Sequence, residues 1–82
     1  MNNADFITRE AALTVENTEH LYGTVLSINA TDANAIKRLT EEVIVTIEDN
    51  SGEKFLNFNE AVRLAIPTVA IAVYGMQEEA KS

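Results

Sequence analysis

The 82-residue, 9.0 kDa chain contains no cysteine, so disulfides and thiolate chemistry are closed to it and one small core must hold it together. Thirteen Asp and Glu against six Lys and Arg give a formal net charge of -7, which repels phosphate backbones and anionic membranes and so disfavours direct nucleic-acid or membrane binding. A hydrophobic fraction of 46% is that of a chain that folds.

The N-terminus lacks the basic start and apolar run of a secretory signal, and with no cysteine this favours a cytoplasmic location. Within residues 1–19, Phe6, Ile7 and Ala11 suit a short helix, while Leu13 and Val15 suit a strand with Thr14 and Glu16 outward. An N-terminal extension of helix, strand or both is expected. From Tyr22 to Ile28 both alternate faces carry apolar groups, Leu26 and Ile28 on one and Leu21 and Val25 on the other, which reads as a strand buried on both sides. Thr31 or Asp32 then offers an N-cap to a helix carrying Ala35, Ile36 and Leu39. Glu41 and Glu42 would oppose the dipole of a longer helix, so its end is expected near Thr40.

Val43, Val45 and Ile47 alternate with Ile44, Thr46 and Glu48, and Asp49-Asn50-Ser51-Gly52 supplies turn residues before Glu53 to Leu56. That pattern predicts a β-hairpin with Val45 opposite Leu56. Asn57, with Glu60 three residues on, caps a second helix whose Phe58, Ala61, Val62 and Ala65 share one side. Pro67 pushes Ile66 into an extended conformation and ends that helix by Ala65. Thr68 to Gly75, uncharged and rich in β-branched residues, reads as the last strand, and 76–82 as a polar tail.

The resulting βαββαβ order over residues 20–75 is the ferredoxin-like split βαβ sandwich of the α+β class, a single domain over 1–82. No family motif accompanies it. Its last strand would lie at a sheet edge without a gatekeeping charge, and Val25, Ile44, Phe55 and Tyr74 would face away from the helices. A homo-oligomer is therefore expected, its interface formed by Val25, Ile44, Phe55, Ala70, Ala72 and Tyr74.

No motif for catalysis, cofactor or metal stands out. One histidine, His20, cannot build a zinc site alone, and Ser27, Ser51 and Ser82 lie in no nucleophile elbow. Asp49, Ser51, Glu53, Asn57 and Glu60 match a calcium-loop spacing, but Lys54 stands where its sharp turn needs glycine. The composition thus favours a small acidic, non-enzymatic interaction protein that self-associates and binds or inhibits a protein partner. An alternative is a module sequestering a small anionic metabolite or nucleotide between subunits, with Arg9, Lys37, Arg38 and Arg63 as contacts. A third is a nucleic-acid mimic presenting Glu16, Glu19, Glu41, Glu42, Glu48, Asp49 and Glu53.

Overall fold

Four helices, α1 (Ala4–Asn17), α2 (Glu19–Ser27), α3 (Ala33–Ser51) and α4 (Phe58–Ala80), make up the fold in the computed structural model, which describes residues 3–82. No strand occurs among the described residues, so the βαββαβ, ferredoxin-like expectation is wrong: the chain is an all-helical four-helix bundle.

Three helices start on side-chain caps that satisfy amides left without intrahelical partners. Asn3 Oδ1 accepts from the Phe6 amide at 3.1 Å, Asp32 Oδ1 from Asn34 and Ala35 at 3.0 and 3.2 Å, and Asn57 Oδ1 from Glu60 at 3.0 Å. α1 and α2 are separated by Thr18 alone, whose extended backbone (φ -95, ψ 107) turns the chain. Its amide donates to the Thr14 carbonyl at 3.0 Å and its carbonyl accepts from Leu21 at 3.1 Å, so the corner leaves neither group idle.

The first strand of the predicted hairpin is instead part of α3, and the second, Glu53 to Leu56, falls in the irregular connection between α3 and α4; the reason lies in the period of burial. Along α3 the buried positions are Ala35, Ile36, Leu39, Thr40, Val43, Ile44, Ile47 and Glu48, a helical stripe, whereas Val45 is 44% exposed. Alternation of β-branched residues over 43–47 satisfied a period of two by coincidence; the longer window obeys 3.6. Gly52, read as a hairpin residue, instead ends α3 in the left-handed region at φ 75, with its amide on the Glu48 carbonyl at 2.9 Å. The Glu48 carboxylate turns back to accept from the buried Phe55 amide at 2.8 Å. That bond holds the 52–57 connection against the end of α3.

α4 runs through Pro67, where sequence reasoning ended it. At 23 residues and about 1.5 Å per residue it spans most of the 38 Å long axis. It packs against α1, α2 and α3, burying Ala61, Val62, Ala65, Val69 and Val73 among them. An interior proline costs about 3 kcal/mol through its missing amide and its clash with the preceding turn. Here Pro67 and Arg63, whose carbonyl loses its amide partner to the proline, are both exposed residues, while Ala65 and Val69 on the opposite side are fully buried. Burial on that side outweighs the local penalty.

Residues 76–80 of the supposed polar tail form the C-terminal end of α4. Gln77 donates through Nε2 to the Val25 and Ile28 carbonyls at 2.9 and 2.7 Å, satisfying acceptors at the end of α2. The supposed N-terminal extension is part of the same core, to which Ile7, Ala11 and Val15 contribute together with Leu21 and Val25 of α2.

Substitutions at the two unusual positions of α4 test this packing. Pro67→Ala restores a helix hydrogen bond and removes a clash, less the entropy that proline removes from the unfolded chain, and is expected to stabilise the monomer by about 1–3 kcal/mol in urea unfolding. Gln77→Glu replaces the donor by a carboxylate aimed at two carbonyls and the negative end of α2, and is expected to destabilise by about 2 kcal/mol or more, with Gln77→Ala less damaging.

Candidate functional site

The inner side of α4 is packed, but its outer side is also apolar. Between Arg63 and Glu78 the helix carries no charge, and on the side away from the other helices it shows Pro67, Ile71 (73% exposed) and Tyr74 (61% exposed), with Ala70 half-buried beside them. Arg63, Pro67, Ala70, Tyr74 and Glu78 recur at intervals of three and four, which places them along one line of the helix. Gly75, beside Tyr74, has open space where a Cβ would stand. A single exposed apolar residue is ordinary, whereas this stripe is uncharged and continuous over three turns.

Each end of the stripe carries an ion pair. At the N-terminal end the Arg63 guanidinium forms a fork to the Glu60 carboxylate, with Nε 3.1 Å from Oε2 and Nη2 bonded to Oε1. Hydrogen bonding from Arg63 holds the Glu60 carboxyl below its ordinary value, against desolvation and aided by charge, and the same bond raises Arg63. At the C-terminal end Lys81 Nζ lies 3.1 Å from Glu78 Oε2.

The residues proposed for an interface from sequence divide sharply. Val25, Ile44 and Phe55 are buried in the core and unavailable to a partner. Ala70 and Ala72 are both half-buried but fall on opposite sides of α4, because residues two apart on a helix point about 200° apart, so only Ala70 borders the outer stripe. Tyr74 lies in the stripe. Ile71 was left out because strict alternation over 68–75 sets it with Val69 and Val73, and Pro67 because it was read only as a helix stop; a helical period groups both with Tyr74.

The four candidate anion contacts do not converge. Arg9 stacks over the Phe6 ring at 5.9 Å and approaches Glu10 at 3.8 Å. Arg38 lines a groove between α2 and α3 with Thr24, Ser27 and Glu42. Lys37 and Arg63 share a cleft of about 270 Å³ between α3 and α4, and Glu41 lines it too, while Arg63 is held by Glu60. Of the acidic set, Glu48 is buried against the Phe55 amide and presents nothing to a partner. His20 shares a shallow groove with Glu42 and Asp49, but no group of three or more His, Cys, Asp or Glu gathers for a metal among the described residues. Nor, among them, is any helix long and apolar enough to cross a membrane.

Comparison with protein-family models, curated proteins and solved structures finds no match to this chain. Its use is therefore read from its own surface.

The division into core and surface is testable by placing the same charge in each. Ile44→Asp buries an unpaired carboxylate and is expected to abolish the cooperative unfolding transition, whereas Tyr74→Asp in dilute solution is expected to change stability by no more than about 0.5 kcal/mol.

Proposed function

We propose that this protein is a non-enzymatic interaction module whose working surface is the outer face of α4, centred on Pro67, Ala70, Ile71 and Tyr74. The observation that carries this reading is the uncharged run between Arg63 and Glu78, whose Ile71 and Tyr74 stay largely in water although the rest of the chain is strongly acidic. Tyr74 is the kind of anchor that dominates binding energy, since it offers a large rigid apolar ring with a polar tip. Exposing it has no structural benefit to an isolated bundle.

Acidity fits the same reading. A charge of -7 disfavours non-specific association at long range, so binding is confined to a partner that covers the stripe and meets its terminal charges. Sequestration of a small anion by Lys37 and Arg63 is less well supported, because Glu41 and Glu60 offset both cations locally.

The test places a photo-crosslinking aromatic residue at position 74 and, separately, at position 22, then irradiates cells that make the protein at native level. Crosslinks to a defined protein species, whether a second copy or another chain, are expected from position 74 and not from position 22. Equal labelling from both positions, or none from position 74, would contradict the proposal.

A further inference from the structure

Resting on the reading of α4 as the interaction surface, we infer that its occupant is a second copy of this chain, packed antiparallel so that a two-fold axis passes between Ala70 and Ile71. The charges that end the stripe are arranged for this. Reading outward from the axis, Ala70 falls opposite Ile71, Pro67 opposite Tyr74, Arg63 opposite Glu78 and Glu60 opposite Lys81. Every charged residue of the line meets its opposite, twice over, because an isologous interface repeats each contact.

Within one chain these four residues already form two pairs, Glu60 with Arg63 and Glu78 with Lys81. Their order is acid then base at both ends. When a second helix is reversed against the first, each pair is closed by the pair of the other chain into a group of four alternating charges. A parallel pairing would instead set Arg63 against Arg63 and Glu78 against Glu78, so the same residues that favour the antiparallel dimer disfavour its competitor.

The side chains between the charged ends fit the same axis. Ala70 against Ile71 places a small residue opposite a large one on both sides of the dyad, which allows the helices to approach to about 8–10 Å. Pro67 gives the Tyr74 ring of the second copy a flat apolar surface. Near-parallel alignment of two helices of this length, with a crossing of about 20°, keeps the charged ends in register while the centre packs.

The experiment uses the purified full chain and three preparations, examined by sedimentation equilibrium and native mass spectrometry, with circular dichroism to confirm that each remains helical. The wild type is expected at twice 9.0 kDa at micromolar concentration. Arg63→Glu and Glu78→Arg, both at exposed positions, are each expected to weaken the dimer by about tenfold or more, since one substitution turns two attractions into two repulsions. Mixing the two variants is expected to restore a dimer of wild-type affinity to within about threefold, as a heterodimer. In that heterodimer the acid introduced at position 63 of one chain faces the base introduced at position 78 of the other, and the unaltered Arg63 and Glu78 meet at the far end. A wild type that stays monomeric while position 74 still crosslinks to another protein would overturn this inference and leave the interaction surface standing; no crosslink at all would remove both. A dimer indifferent to the charge reversals, or one that the mixture fails to restore, would overturn the antiparallel register.

Discussion

Burial of the inner side of α4 is the constraint on which the rest of this structure depends. Ala61, Ala65, Val69 and Val73 are completely removed from water, and α1, α2 and α3 all pack on that helix. The residues are small, so neighbouring helices approach closely and dispersion contacts are dense. An isolated helix with a proline near its middle would fray. This one persists because three partners bury it on one side, each large apolar group they add contributing about 1.5–3 kcal/mol. The remaining devices deliver partners to that side: Thr18 turns α2 away from α1, Glu48 holds the 52–57 connection, and Gln77 closes the end of α2.

The same helix explains the exposed surface. A helix apolar all round belongs in the middle of a larger assembly, yet the chain supplies neighbours for one side only. Its other side is left with Pro67, Ile71 and Tyr74 in water and with ion pairs at both ends. Pro67 connects the fold to the surface. It is tolerated because it faces outward, and facing outward it becomes part of the stripe that a second chain would cover.

Local signals in the sequence were legible where the chemistry is local. Asp32 and Asn57 cap helices because a short side-chain acceptor beside free amides needs no tertiary partner, and Gly52 ends an element because only glycine takes φ 75 without strain. Element type was not legible over 43–47 and 68–75, where Val, Ile and Thr dominate and prefer strands when judged by propensity. Tertiary burial overrode that preference: Val69 and Val73 lie four apart on the inner face, as do Val43 and Ile47 in α3. Lack of charge in 68–75 drew attention to a segment that does leave Ile71 and Tyr74 exposed, but the strand reading grouped Ala72 with Tyr74 and overlooked Ile71. Gln77 was hidden for another reason. Nothing in a polar tail announces that its amide will reach two carbonyls near the end of α2, far back along the chain.

The most direct measurement is backbone NMR of the purified protein, following Cα secondary shifts and sequential amide NOEs along α4. An unbroken helical signature from Phe58 to Ala80, interrupted only by the missing amide at Pro67, together with NOEs from the Gln77 side-chain amide to the end of α2, is the result this structure requires. Extended-strand shifts over 68–75, or a helix ending before Pro67, would contradict it.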